Sequence, residues 1–167
     1  KLQHDGDWEL TAKILSDAAK KVELAGADFL LICTNTMHKV APQIIQAINI
    51  PLLHIADATA EILVTKGIKT VGLLGTAFTM EQDFYKGILK QDYGLKVLIP
   101  NDVDRDIIHN VIYKELCLGE LQPASKIEYL RIIEALAHLG AEAVILGFTE
   151  IGMLVNQTDT EVLLLDT

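Results

Sequence analysis

The sequence predicts an α/β protein with two pseudo-symmetric lobes, each built from mostly parallel sheet with flanking helices. Short aliphatic runs alternate with longer segments of helical periodicity, an order typical of parallel strands joined by right-handed crossovers. Half of the 167 residues are hydrophobic but only 5% are aromatic, so the core is expected to be aliphatic. One strand–turn–helix pattern occurs twice, which predicts two similar lobes whose loops face a shared cleft.

Apolar periodicity and turn formers divide the chain into expected helices and strands. The first part holds a helix from Asp5 or Asp7 to about Ala25, a strand over 28–33, a turn over 36–41, a helix opened by Pro42, a strand over 50–55, and a helix capped by Asp57 or Thr59 that ends near Gly67. The second part holds strands over 70–75, 96–99, 143–146 and 162–165, and helices over 80–92, 102–118, 123–139 and 149–155. These elements predict a first lobe over 1–67 and a second over 68–161, with 162–167 returning near the lobe junction.

The repeat also predicts that the first lobe is incomplete. The segment from Gly26 to Asp57 is echoed by the segment from Gly140 to Asp166, and each has a Gly-Ala-acid triplet, an aliphatic strand, a turn and a second strand. The second copy has its own opening strand, Val71–Gly75, whereas the first has none. We therefore expect part of a longer protein, with a compact single domain that starts here as the alternative.

Charge and composition exclude several classes of function. The chain has 14 basic and 23 acidic residues, a net charge of −9, which disfavours nucleic acid and anionic membrane as partners. No apolar run approaches the roughly 18 residues of a membrane span, and the polar residues 1–8 do not predict a signal peptide. Two cysteines do not form a disulfide framework, so a reducing cytoplasm is the expected location.

The leading candidate for chemistry is Cys33, which ends the aliphatic run 28–33 and is followed by Thr34, Asn35 and Thr36. Each of these three polar residues can cap a helix. Backbone N–H groups at a helix start bind carboxylates and make a thiolate accessible. We therefore predict Cys33 as catalytic and the three polar residues as substrate-binding. A small buried cysteine and simple helix caps are the alternatives.

A second set of candidates follows the strands of the second part. Thr149 and Glu150 mirror the polar pair that follows the first cysteine, and Thr76 and Thr79 follow the strand that ends at Gly75. All four are predicted to bind substrate in the cleft. Glu150 can also be only a first-turn carboxylate favoured by the helix dipole, and the Gly75 turn lacks the spacing of a phosphate loop.

For two further residues, a structural role is at least as plausible as a functional one. His38 lies four residues after Thr34, where it could face the cleft, cap a helix or lie on the surface. Cys117 lies between Leu116 and Leu118, and packing in the core is its expected role. The histidines and cysteines show no metal-ligand spacing, so no metal is expected.

Taken together, the motifs resemble the aspartate/glutamate racemase family, which works without pyridoxal phosphate. Residues Cys33–His38 look like that family's first-cysteine motif, and Ile55–Thr59, Leu74–Glu81 and Gly147–Ile151 match its other motifs in order and spacing. The resemblance covers nearly the whole chain. It is closest to the broad-specificity amino-acid racemase branch, which carries a segment like Glu115–Gly119.

The resemblance implies an isomerase that needs no cofactor and acts on a small amino acid or related carboxylate. In the family, one cysteine on each lobe flanks Cα, so that one removes the proton and the other returns it. Phe148 occupies the position of the second catalytic cysteine, and a phenylalanine cannot exchange a proton. Dicarboxylate-specific members carry a lysine at the position of Cys117, which disfavours aspartate and glutamate as substrates. A homodimer is also implied.

Three functions therefore remain open from the sequence. The first is a racemase-family enzyme in which Cys33 is the retained acid/base, its activity impaired by Phe148 and the missing opening strand. The second is a decarboxylase-like enzyme, because single-cysteine relatives decarboxylate malonate-type acids, although they keep the cysteine of the second lobe. The third is a catalytically inactive carboxylate-binding protein or truncated product.

Overall fold

The computed structural model describes residues 5–167 and divides the chain into two units. The first unit reaches to Ile55 and the second is Ala56–Thr167. Each unit has a parallel sheet flanked by helices, which confirms the predicted α/β class. Residues 1–4, which belong to the polar opening and to the predicted first lobe, lie outside the described part. The assignment of 1–67, 68–161 and 162–167 to lobes stays a prediction.

The elements that the structure describes in the first unit are two helices, two short strands and a 3₁₀ helix. In chain order these are α1 (Trp8–Leu24), β1 (Leu30–Leu31), the 3₁₀ helix Thr36–Val40, α2 (Ala41–Ala47) and β2 (Leu52–Leu53). Asp7 caps α1 by accepting the Leu10 N–H at 3.0 Å. Gly26 takes the turn after α1 at a φ of +93°, a left-handed conformation that favours glycine.

The core of the first unit lies between α1, α2 and the sheet. Ala12 and Ala19 of α1 pack with Val40, Ile44 and Ile48, and partly buried strand residues pack against them. The strands pair in parallel, with Leu30 opposite Leu52 and Leu31 opposite Leu53.

The second unit is larger and its sheet has four parallel strands in the order β4-β3-β5-β6. Its elements are α3 (Ile55–Thr65, which begins at the unit boundary), β3 (Thr70–Gly75), α4 (Ala77–Glu81), α5 (Asp83–Gln91), β4 (Lys96–Leu98), α6 (Asp102–Lys114), the 3₁₀ helix Leu116–Leu118, α7 (Pro123–His138), β5 (Ala143–Gly147), α8 (Ile151–Leu154), the 3₁₀ helix Gln157–Asp159 and β6 (Leu163–Asp166). The central strands β3 and β5 are buried along almost all of their length, as expected for a parallel sheet covered on both faces.

Helices α6 and α7 supply much of the core that covers this sheet. Ile108 and Ile112 of α6 pack with Tyr129 and Ile132 of α7, and all four are fully buried. The buried Tyr129 hydroxyl donates to the Ile108 carbonyl oxygen at 3.1 Å, which satisfies a polar group inside the apolar layer.

Both units use a glutamate to hold the backbone that precedes a strand. The Glu23 carboxylate accepts the N–H groups of Asn49 and Ile50 at 2.8 and 3.2 Å, just before β2. The Glu142 carboxylate accepts those of Lys69 and Thr70, both at 2.8 Å, where β3 begins. These backbone hydrogen bonds lower the pKa of Glu142.

Several element boundaries differ from the sequence prediction. Within residues 5–167, the strands expected over 28–33 and 50–55 are shorter than predicted and pair with each other at two residues each. Helix α3 begins at Ile55, so neither Asp57 nor Thr59 is its cap. The helix expected over 80–92 is two helices, because Gln82 adopts an extended backbone between them.

The prediction that Cys117 packs in the core is wrong. Helix α6 ends at Lys114, and the irregular backbone of Glu115 separates it from the 3₁₀ helix Leu116–Leu118. Leu116 is the buried member of that helix, whereas Cys117 is exposed. The helical periodicity of the sequence therefore does not continue through this segment. No helix in residues 5–167 has the length and apolarity needed to cross a membrane.

Candidate functional site

The thiol of Cys33 is exposed and lies two residues beyond the carboxyl end of β1. A bend carries the chain from Cys33 through half-buried Thr34 into the 3₁₀ helix that starts at Thr36. Asn35 is at the N-cap position but makes no side-chain capping hydrogen bond, so the predicted cap is not formed by this side chain. Asn35 and Thr36 are both buried, which leaves Cys33 as the most accessible of the four predicted site residues.

His38 joins the Cys33 turn to the end of the first unit. Its Nδ1 is 2.9 Å from the Thr34 carbonyl oxygen, and its Nε2 is 3.3 Å from the backbone N of Ile55. A carbonyl can only accept and an N–H can only donate, so the ring is neutral with its proton on Nδ1. Only 1% of His38 is exposed, so the surface interpretation of this residue is wrong.

A second imidazole packs edge-on against His38. The ring centroids of His38 and His54 are 4.3 Å apart, with an interplanar angle of 62°. Burial lowers the pKa of His38, and burial together with the neighbouring His38 lowers the pKa of His54 to about 4. Both rings are therefore neutral at neutral pH, and neither adds positive charge beside the Cys33 turn.

An apolar cavity of about 260 Å³ adjoins the Cys33 turn within the first unit. Its walls are mainly aliphatic side chains of α1 and of the β1 segment, and Cys33 and Thr34 also line it. The thiol therefore adjoins both solvent and an apolar surface.

In the second unit, the predicted threonines close the turn after β3. The Thr76 hydroxyl accepts the Thr79 N–H at 3.3 Å and caps α4, and the two hydroxyl oxygens are 3.2 Å apart. Both side chains are buried. The Ala77 N–H donates to Nδ1 of His109 at 3.1 Å, so a neutral His109 carries its proton on Nε2.

The other predicted residues of the second unit follow β5. Phe148 is half-buried, and its ring packs against the core of this unit. Thr149 is exposed and its hydroxyl donates to the Glu150 carboxylate. Gly75 and Gly147 are opposite each other in parallel register, so the turns after β3 and β5 lie side by side at the carboxyl edge of the sheet.

Sequence reasoning missed a row of side chains on α6 and the turn after it. His109, Tyr113 and Cys117 are spaced by four residues, and the rings of His109 and Tyr113 are 4.7 Å apart. Partial burial raises the pKa of the Cys117 thiol, and the charge of Glu150 raises it further. The four-residue spacing of His109 and Tyr113 could have identified these two, which lie on α6, but it could not have placed Cys117, which lies beyond the end of that helix.

The structure thus brings Cys33, Thr34, Asn35 and Thr36 together in the first unit. Separately, it places Thr76, Thr79, Phe148, Thr149 and Glu150 at one sheet edge of the second unit. Their roles in catalysis and binding stay predictions. Within the described range, no three or more His, Cys, Asp or Glu side chains group as metal ligands would.

Comparisons with known proteins place the chain in a family. The family model for Asp/Glu/Hydantoin racemases matches residues 2–167. Two solved structures each cover 99% of this chain and 72% of their own: a candidate Asp/Glu racemase from Yersinia pestis (48% identity, TM-score 0.91) and an aspartate racemase homologue from Pyrococcus horikoshii OT3 (37%, 0.84). A glutamate racemase from Francisella tularensis, at 17% identity and a TM-score of 0.70, shares the fold.

Among curated proteins, the broad-specificity amino-acid racemase RacX of Bacillus subtilis (strain 168) is 34% identical over 84 residues. The matched region is 50% of this chain and 37% of the relative, so the chain spans little more than a third of that relative's length. The family match over residues 2–167 and the two solved structures confirm the family that the motifs resemble and the α/β fold described above. The chain belongs to the Asp/Glu/Hydantoin racemase family.

Proposed function

We propose that this chain is an amino-acid racemase-family enzyme in which Cys33 removes and returns the Cα proton of a small amino acid, without a cofactor. The observation that carries the proposal is the exposed thiol just beyond the carboxyl end of β1, in a chain that matches the family over residues 2–167. Ligand sites of parallel α/β proteins lie at this end of the strands.

The proposed step is a proton transfer at one face of Cα. The Cys33 thiolate takes the Cα proton and becomes a thiol, and the electron pair of the broken C–H bond stays on carbon as a carbanion. The thiol then returns a proton to the same face. Inversion requires a second acid/base, and Phe148, which the family resemblance assigns to the position of the second cysteine, has no proton to exchange. We therefore expect exchange with retention of configuration.

The remaining predicted residues divide into two roles by exposure. Thr34 of the first unit and Thr149 and Glu150 of the second have accessible surface, so the substrate-binding role that the family resemblance implies for them would be by direct contact. The buried side chains would act by holding the turns that present backbone N–H groups to the carboxylate; these are Asn35, Thr36, Thr76 and Thr79.

The proposed substrates are amino acids other than aspartate and glutamate. Cys117 carries no cation that could bind a side-chain carboxylate, and its raised pKa keeps its thiol neutral at pH 7. The similarity to a relative with broad amino-acid specificity supports this class. A cytoplasmic homodimer is proposed from the family resemblance, and sedimentation of the purified protein tests its oligomeric state.

Incubation of single enantiomers of amino acids in D₂O tests the proposal. Cα deuteration followed by NMR is expected from one enantiomer of a substrate, with no change in circular dichroism of the amino acid. Cys33→Ser is expected to abolish deuteration, whereas Cys117→Ser, the matched change at the other thiol, leaves it intact. Deuteration that survives Cys33→Ser would refute the role of Cys33, and rapid inversion would refute the one-base mechanism.

Phe148 also favours a second candidate, a carboxylate-binding protein without catalysis. Binding of an amino acid detected by calorimetry, with no deuteration of either enantiomer, would establish it. Loss of carboxylate from malonate would instead indicate the decarboxylase-like activity. If the racemase proposal is correct, Phe148→Cys adds the missing second acid/base and produces inversion.

A further inference from the structure

We propose that His38 is a positioning residue, whose two ring nitrogens hold the Cys33 turn in the conformation that presents the thiol. The inference rests on the proposed role of Cys33, but it is tested without turnover. His38 is four residues from Thr34 along the chain and outside the residues proposed to contact substrate. A substitution of His38 therefore tests how the turn is held without removing a residue that is proposed to contact the substrate.

The hydrogen bonds of His38 join two segments that are distant in sequence. Nδ1–H donates at 2.9 Å to the carbonyl of Thr34, the residue next to Cys33. Nε2 accepts from the N–H of Ile55, 17 residues away in the chain. Both bonds require the same neutral tautomer, so one ring fixes the carbonyl of the turn relative to the end of the β2 segment.

The surroundings of the ring keep it in place. His38 is 1% exposed, and the His54 ring packs edge-on against it with the ring centroids 4.3 Å apart. Val40 and Ile44, from the same segment, are also almost fully buried in the core of the first unit. If either hydrogen bond breaks, a buried ring nitrogen is left without a partner and without water, which costs free energy, so both bonds are expected to persist together.

The two hydrogen bonds can be removed one at a time by replacing His38 with asparagine or with glutamine. In His38→Asn the side-chain amide nitrogen replaces Nδ1 and can still donate to the Thr34 carbonyl, but nothing replaces Nε2. In His38→Gln the amide oxygen lies near the Nε2 position and can accept the Ile55 N–H. His38→Ala removes both bonds.

His138 offers a matched control. Its Nδ1 is also 2.9 Å from the carbonyl oxygen four residues earlier, that of Glu134, but it is exposed at the end of α7 in the second unit. His138→Ala therefore removes the same local contact away from the Cys33 turn. All variants are made in a Cys117→Ser background, in which Cys33 is the only cysteine, since the chain has two.

The first measurement is the rate of alkylation of Cys33 by iodoacetamide at fixed pH. A turn that loses a hydrogen bond worth about 0.5–1.5 kcal/mol is displaced or loosened, so the rate in His38→Ala is expected to differ from the parent's by more than about twofold. His138→Ala is expected to retain the parental rate. His38→Asn, which keeps the Thr34 bond but loses the Ile55 bond, is expected to react at a rate between those of the parent and His38→Ala. An unchanged rate in a folded His38→Ala would overturn the positioning role.

The second measurement is amide hydrogen exchange at Ile55. Exchange is expected to rise by up to about tenfold in His38→Ala and His38→Asn, and to return toward the parental rate in His38→Gln. The same exchange rate in all variants would overturn the assigned bond to Nε2.

The third measurement needs no variant and covers the case in which His38→Ala does not fold. Imidazole ¹⁵N and ¹³C shifts of the unaltered protein are expected to show His38 as the neutral Nδ1–H tautomer at pH 7. The Nε2–H tautomer would overturn the proposal. If the alkylation pattern holds but no amino acid exchanges deuterium, the proposed function fails and the positioning role of His38 stands.

Discussion

Replacing Gly147 with alanine tests how closely the two central strands, β3 and β5, pack against each other. Gly147 is the last residue of β5 and is opposite Gly75 of β3. A Cβ at Gly147 would lie 2.7 Å from the Leu74 carbonyl oxygen and 3.1 Å from Cδ1 of Leu73. The closest atom is backbone of the neighbouring central strand, which cannot move without disturbing the sheet.

The magnitude follows from what has to shift. Overpacking a core commonly costs about 1–3 kcal/mol, and a clash with backbone belongs at the upper end, about 3 kcal/mol. Gly87→Ala is the matched control, because Gly87 is also buried in the second unit but lies in helix α5. Its Cβ would meet Asp83 Cβ at an ordinary 3.4 Å. Alanine is favoured over glycine in a helix by about 1 kcal/mol, so this variant should be more stable than the parent.

Urea unfolding measures both changes in the same unit. The free energies of unfolding of the two variants are expected to differ by about 4 kcal/mol, with the parent between them. At this chain length the melting temperature should fall by roughly 6–12 °C for Gly147→Ala and rise by roughly 2–4 °C for Gly87→Ala. A Gly147→Ala protein within about 0.5 kcal/mol of the parent would refute the close approach of β3 and β5.

Two further predictions concern the half-buried ring of His54 and the buried hydroxyl of Tyr129. Folded His54, with its pKa lowered to about 4, stays neutral while the unfolded chain binds a proton near pH 6.5. The free energy of unfolding should therefore fall as the pH drops from 6.5 to 4, by about 1–2 kcal/mol after allowance for partial exposure of the ring. In urea titrations at both pH values, His54→Gln should show a smaller fall than the parent. Tyr129→Phe removes the hydroxyl that donates to Ile108 and should cost about 1 kcal/mol in the same assay; no measurable cost would show that this hydrogen bond makes no net contribution.

The sequence predicted the second unit more closely than the first. The strand expected over 70–75 is Thr70–Gly75, because a β-branched and aliphatic run there is bounded by a polar residue and a turn. The strand expected over 28–33 pairs only at Leu30–Leu31, because the length of a strand depends on how much partner strand lies beside it. The length of the partner strand cannot be read from the residues of the run itself.

The candidate site shows the same division. The strands expected over 70–75 and 143–146 located the turns of Thr76 and Thr149, since polar residues follow both aliphatic runs. Cys33 was expected to end its strand, whereas β1 ends at Leu31, two residues earlier. Sequence could not distinguish a buried, doubly bonded His38 from a surface histidine, because both occur in similar local sequence. It also misplaced Cys117, since one irregular residue before it changes which side chain faces the core.

The carboxylate of Glu142 binds the backbone at the amino end of the larger sheet. It fastens the beginning of β3 through the N–H groups of Lys69 and Thr70, at the edge opposite the turns that follow β3 and β5. Because this contact lies far from those turns, we expect substitutions within residues 76–79 or 148–150 to leave the alignment of the strands unchanged.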